Sequence, residues 1–149
     1  MKKLVTVLTA AVMLFSSFAF ATDSDKVNAR VRSAFLNDFA GVTAVSWEKT
    51  SDFYFAAFKL NNIEVNAAYN EEGTLVGTSR SIESQQLPLN ISLALSRKYE
   101  GYEVSKKALE LTFEGETRYY VTIQNGTQAL KLKCSTNGNI EVEKKIKKA

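Results

Sequence analysis

The chain has 149 residues, carries 19 Lys and Arg against 16 Asp and Glu for a formal charge of +3, and contains one cysteine, one proline and no histidine. The missing histidine removes Ser-His-Asp and Cys-His catalysis, histidine-ligated zinc and the usual base near neutral pH. A lone cysteine excludes an internal disulfide, and the near-neutral balance gives no electrostatic case for nucleic acid or an acidic membrane.

In chain order the first element is a secretory signal. Lys2 and Lys3 precede the apolar run from Leu4 to Phe18 and the small-residue site Ala19-Phe20-Ala21, so residues 1–21 are expected to be removed by cleavage before Thr22. The competing reading is a retained anchor. The run is shorter than the roughly 20 residues that cross a bilayer, and Thr6, Thr9, Ser16 and Ser17 dilute it. No cysteine near the site could carry a lipid. Residues 22–149 then form one domain, with a formal charge of +1 once Lys2 and Lys3 are gone.

The next segment reads as a helix. Val27, Val31, Ala34, Phe35 and Phe39 recur on one helical face, with Ser24 or Asp25 as N-cap and Gly41 as the stop. The period then changes to two. Val45 and Trp47, then Tyr54, Ala56, Phe58 and Leu60, then Ile63, Val65, Ala67 and Tyr69, then Leu75 beyond a turn at Glu72-Gly73, describe four strands in a meander. Asn61-Asn62 marks a tight turn. Trp47 shares the core face with Val45.

The pattern then begins again. Residues 31–41 align with residues 91–101 at an offset of 60, matching Val31 with Ile91, Phe35 with Leu95, Phe39 with Tyr99 and Gly41 with Gly101. Ile91, Ala94, Leu95 and Tyr99 form the second helical stripe, with Pro88 suited to its first turn. The offset grows to 65 for Tyr119, Val121 and Ile123, for Leu130, Leu132 and Cys134, and for the turn at Asn137-Gly138. The five added residues fall between Val104 and Arg118, as a longer first hairpin around Glu114-Gly115-Glu116. Asn125-Gly126 is a strong hairpin signal. In the last strand Ile140, Val142 and Ile146 keep one side apolar, while Lys144, Lys145, Lys147 and Lys148 form a solvated face rather than a binding tail. Cys134 is a small hydrophobe on the face of two leucines.

The expected fold class is therefore α+β. Two repeats, about 24–82 and 87–148, each place a helix over one face of a four-stranded antiparallel meander in two layers. The pattern leaves open whether the two sheets join.

Val45-Ser-Trp47-Glu-Lys49 after the Phe39-Ala-Gly41 helix end, Phe53-Tyr54-Phe55, the Tyr69-Asn-Glu-Glu-Gly73 turn, Leu87-Pro88 and Tyr99-Glu-Gly101-Tyr102 resemble the PepSY-like proteins with a beta-lactamase-inhibitor-like fold exported by Bacteroidetes. The resemblance spans residues 22–149. It implies tandem helix-plus-sheet repeats, a periplasmic or secreted location and no established general activity. Ala40, where the family tends to proline, and Thr50 and Ser51 depart from its pattern.

Catalytic chemistry finds little to work with. Glu71-Glu72 sits in a turn, and Glu110, Glu114 and Glu116 flank a hairpin, where acidic residues are ordinarily solvated. Neither Asn70–Gly73 nor Thr136–Asn139 supplies the spaced oxygens of a calcium loop, and the glycines are scattered, so no metal, phosphate loop or other cofactor is expected. Asn90 and Asn125 match the glycosylation pattern by chance.

The face turned away from the helices carries the remaining signal. Alternation sends Phe53, Phe55, Ala57 and Lys59 there with Asn66, and in the second repeat Tyr120, Thr122, Gln124, Lys131 and Lys133. Aromatic, polar and cationic groups together suit recognition. The plainer alternative is that Phe53 and Phe55 pack under a loop or across the repeat junction, or form cross-strand pairs. The expected function is an exported, non-catalytic protein that binds a protein or peptide through Phe53, Phe55, Asn66, Tyr120, Thr122 and Lys131. The alternative is a periplasmic small-molecule or envelope-stress sensor holding an apolar ligand between the repeats. No nucleic acid, and no membrane contact after cleavage, is expected.

Overall fold

The computed structural model describes residues 26–147, so the expected signal segment lies outside the described residues, as do Ser24 and Asp25. Helix α1 (Ala29–Asp38) is followed by strands β1 (Val45–Lys49), β2 (Tyr54–Leu60), β3 (Ile63–Tyr69) and β4 (Leu75–Glu83). A 3-10 turn (Ser84–Gln86) leads to α2 (Leu89–Lys98), then β5 (Glu103–Phe113), β6 (Glu116–Gln124), β7 (Gln128–Ser135) and β8 (Ile140–Lys147). The fold is α+β: the eight strands form one antiparallel sheet whose spatial order follows chain order.

The described residues divide into two compact units. One runs through Arg80 and takes in Phe113–Gly115; the other comprises Ser81–Thr112 and the residues from Glu116 onward.

In the first unit α1 is capped by Asn28, whose side chain accepts from the Val31 N–H at 2.9 Å. Ser24 and Asp25 are therefore not the cap. A β-region Asn one residue before the helix satisfies a donor that the first turn leaves open. The helix buries Val31 and Phe35 against Trp47, Tyr54, Ala56, Phe58, Val65, Ala67 and Tyr69. Phe35 is the hub, meeting Trp47 and Phe58 edge-on at 5.2 and 5.1 Å between ring centroids. Trp47 sits in this core, on the face that its alternation with Val45 indicates. Burying a side chain such as Phe35 contributes about 1.5–3 kcal/mol. Tyr69, fully buried, donates to the Asp38 carboxylate at 2.9 Å and so keeps its polar end paired.

In the second unit α2 starts behind Pro88, which stands at the N-cap rather than inside the first turn. Its buried residues, Ile91 and Leu95, pack with Ala108, Val121, Ile123, Leu130, Leu132 and Cys134. Both helices stop one turn before a glycine of positive φ, Gly41 (+91°) and Gly101 (+82°).

The turns divide by chemistry. Asn61 and Asn62 both take positive φ, 51° and 64°, as do Glu114 and Gly115, 49° and 82°. Two successive left-handed residues give the hairpin turn whose twist matches the flanking strands. Asn125-Gly126 does not form this turn, since neither residue has positive φ. Instead the Asn125 Oδ1 accepts from the Thr127 and Gln128 N–H groups, each at 3.0 Å, and closes a longer loop.

One reading of the last strand is corrected. Ile140 pairs with Cys134 and Val142 with Leu132, but the register then shifts, so that Lys144 pairs with Lys131 and Ile146 with Ala129. Glu143 is the extra residue of a bulge. Ile140 and Val142 share the core face, while Ile146 is turned to the other.

Candidate functional site

In each unit the helix covers one face of its strands, and the candidate residues lie on the face it leaves. In the first unit, Thr50 shapes the β1–β2 link: its N–H donates to the Phe53 carbonyl at 2.9 Å, and its hydroxyl accepts from the Phe53 N–H at 3.2 Å. Phe53 is thus fixed at the mouth of β2, half-buried. Its ring lies 6.3 Å from Phe55 and 5.8 Å from Phe113, both near-perpendicular. These contacts are structural packing of the kind the plainer alternative offers, but not cross-strand pairs: Phe53 and Phe55 belong to one segment, and the residues opposite Phe55 are Glu48 and Ala68.

Phe55 is only 6 % exposed. Its neighbour across β3 is Ala68, and Ala68 in turn faces Gly77 on β4. Two small residues beside one large ring leave room for the phenyl to lie down on the sheet. Asn66, also buried, donates to the Ser79 hydroxyl at 3.4 Å, and Ser79 is buried with it. These residues floor the face more than they protrude from it, whereas the sequence reading had placed Phe55 and Asn66 on an open surface.

The second unit carries the charged part. Tyr120 is 4 % exposed, and burial, reinforced by Glu143, pushes its hydroxyl pKa up to about 12. The Lys131 ammonium sits 5.5 Å from the centre of the Tyr120 ring and 3.2 Å from the Glu143 carboxylate. Lys133 reaches Glu141 at 3.8 Å. Thr122 stands opposite Lys131 in the β6–β7 ladder, half-buried. Lys131 is therefore held from two sides, by a π-face and by a carboxylate. Neither Glu141 nor Glu143 was a candidate from sequence, because the bulge that brings Glu143 beside Lys131 leaves no mark in the alternation. Phe113 was missed too. It ends a strand that begins ten residues earlier, at Glu103, too far from Phe53 in sequence for any local pattern to join them.

Of the carboxylates considered for catalysis, Glu71, Glu72, Glu114 and Glu116 are exposed and Glu110 is half-buried. Cys134 is fully buried, and burial pushes its thiol up to about 11, the opposite of an activated nucleophile. Asn90 donates to the Thr136 carbonyl at 2.6 Å, and Asn125 caps its loop. Among the described residues no helix is long and apolar enough to cross a membrane.

Each unit also has a cleft. That in the first, about 980 Å³, lies along residues 40–46 and the far end of β2. That in the second, about 540 Å³, lies between α2 and the start of β5, with Leu95 and Ile123 in its lining.

No protein-family model matches the chain, and no curated protein matches it significantly. Solved structures do. A DUF2874 family protein from Bacteroides uniformis superposes with a TM-score of 0.66 at 16% identity, covering 80% of this chain and 88% of that one. A BLIP-like protein from Bacteroides fragilis gives 0.64 at 21% identity, covering 82% and 88%. A predicted periplasmic protein from Bacteroides eggerthii gives 0.67 at 13%, covering 81% and 88%. At these identities the likeness is one of fold, and the chain has the BLIP-like fold.

Proposed function

We propose that the chain is an exported, non-catalytic binding protein that takes a protein or peptide on the sheet face its helices leave uncovered. The observation that carries this reading is the fixing of its side chains before any partner arrives. Phe53 is wedged against two rings, and Lys131 is held between Tyr120 and Glu143. Side chains already ordered lose less entropy on binding, and aromatic and cationic anchors in such settings dominate interface energies. Phe53, Thr122 and Lys131, which keep some exposure, make the contacts. Phe55, Asn66 and Tyr120 hold them in place.

Export is supported by the signal-like start of the sequence and by the likeness of fold to a protein described as a predicted periplasmic one. The relation to PepSY-like proteins rests on the motifs quoted above. The tandem repeat is supported by the order of elements, a helix and four strands, twice. It is also supported by a shared device: Asn28 donates to the Glu71 carbonyl as Asn90 does to that of Thr136, each tying a helix start to the turn after its unit's third strand.

The test is affinity capture from the envelope of the native host, with the wild type beside Phe53→Asp combined with Lys131→Glu. Both positions are half-buried, so the variant can fold, unlike one that places a charge at Tyr120. A protein retained by the wild type and weakened at least about tenfold in the variant, the equivalent of 1.4 kcal/mol, supports the reading. A partner bound equally by both contradicts it.

A further inference from the structure

The second unit contains two Asn-Gly pairs, Asn125-Gly126 between β6 and β7 and Asn137-Gly138 between β7 and β8. In such a pair the side-chain amide carbon lies within reach of the next backbone nitrogen, and glycine puts no Cβ in the way of the approach. The fold treats the two pairs differently.

Gly138 is committed. Its N–H donates to the Ser135 carbonyl at 2.9 Å, and it is half-buried beside Asn90. The Asn137 Oδ1 accepts from the Asn139 N–H at 3.0 Å. Gly126, by contrast, is exposed, and its N–H has no hydrogen-bond partner among the described residues. A Cβ placed on it would meet nothing within 4 Å, so its surroundings are open. Three donors converge on the Asn125 Oδ1: the Thr127 N–H and hydroxyl, at 3.0 and 3.1 Å, and the Gln128 N–H at 3.0 Å. A backbone nitrogen that holds no hydrogen bond gives up its proton without first breaking one. Donors gathered on Oδ1 polarise the amide and stabilise the charge that collects on that oxygen as the nitrogen adds.

We propose that Asn125 is a site of spontaneous deamidation, with water as the co-reactant, and that the fold protects Asn137 from the same reaction. The Gly126 nitrogen loses its proton to solvent and adds to the Asn125 Cγ. The N–Cγ bond forms, the Cγ–Nδ2 bond breaks, and Nδ2 takes a proton from solvent and leaves as ammonia. One water then opens the resulting succinimide. Cleavage of the new N–Cγ bond gives aspartate, and cleavage between that nitrogen and the Asn125 backbone carbonyl carbon gives isoaspartate. Either product places one negative charge on the β6–β7 loop. The site does not depend on the sheet face proposed to bind a protein.

The test is a time course of the whole protein at mildly alkaline pH, folded and in guanidinium, in water enriched in heavy oxygen. Mass spectrometry of the peptides follows each asparagine, and chromatography separates aspartate from isoaspartate. In the folded protein Asn125 should convert at least about tenfold faster than Asn137, the equivalent of freeing one hydrogen-bonded donor, and should give both products. In guanidinium the two rates should come within about threefold of each other, since both pairs then have the same local chemistry. Gly126→Ala, which the open surroundings and the ordinary φ of Gly126 let fold, should slow Asn125 at least about tenfold by hindering the attacking nitrogen. Asn125 converting no faster than Asn137 in the folded protein overturns the proposal. So does a difference that persists in guanidinium, aspartate formed without isoaspartate, or an unchanged rate in Gly126→Ala.

Discussion

Phe35 touches four other rings, those of Phe39, Trp47, Phe58 and Tyr69, and has almost no exposure. Phe35→Ala removes all four contacts and leaves a cavity walled by stiff aromatic groups that collapse poorly. A loss of about 3–5 kcal/mol is expected from urea unfolding. Cys134 gives a different prediction. Its native thiol titrates near 11 instead of 9.0, so above about pH 9 the unfolded chain releases a proton that the native chain keeps. Stability is therefore unaffected by this group below pH 9 and falls between about pH 9 and 11, by at most about 1.4 kcal/mol per pH unit. Tyr120, raised from 10.0 to about 12, adds to the fall at higher pH. Unfolding curves from pH 8 to 11 should show this decline, and Cys134→Ala should flatten its first part. Equal slopes in both proteins would contradict the assignment. Which face each of these residues occupies was legible from alternation. How deeply Phe55 and Tyr120 sink was not, because depth depends on neighbours across the sheet, such as Ala68 and Gly77 beside Phe55.

The helices and their turns are locked together by close approach. A Cβ on Gly73 would stand 3.0 Å from the Arg30 carbonyl oxygen, backbone against backbone, and its φ is +84°. Gly138 has a similar φ, +88°, but a Cβ there meets the Asn90 atoms no closer than 3.5 Å, an ordinary contact. Gly138→Ala should therefore cost about 1–2 kcal/mol, from conformation alone. Gly73→Ala should cost clearly more, and equal thermal shifts in the two variants would contradict this account. Asn28→Ala loses both a cap and the bond to the Glu71 carbonyl, and about 1–2 kcal/mol is expected from the same measurement. Helices and strands were largely legible because hydrophobic period is a local property. Three features escaped for physical reasons. The N-cap was placed too early, since Ser, Asp and Asn all suit the role and four such residues precede the helix. Asn125-Gly126 carries a hairpin signal, but side-chain capping by Asn125 takes a longer loop instead. The β8 bulge is invisible in a run of alternating residues, yet it redirects Ile146 and delivers Glu143 to Lys131.

Across the whole chain, the order of elements and the α+β class were readable because each helix stripe and each strand face declares itself. That the eight strands share one sheet was not, since the alternation within each repeat reads the same whether or not the sheets join. The candidate residues were grouped by alternation, and the structure leaves Phe53, Thr122 and Lys131 partly exposed while it buries Phe55, Asn66 and Tyr120. Under the proposed function, a partner touches the first three. Leu36 and Leu93, 55 % and 44 % exposed, mark the outer sides of the two helices, away from the proposed face. The most direct measurement is photo-crosslinking in the native host with a benzophenone amino acid placed singly at positions 53, 131, 36 and 93. Adducts of one discrete size from positions 53 and 131, with none from 36 and 93, are the predicted result. Adducts from the helix positions alone would contradict the account.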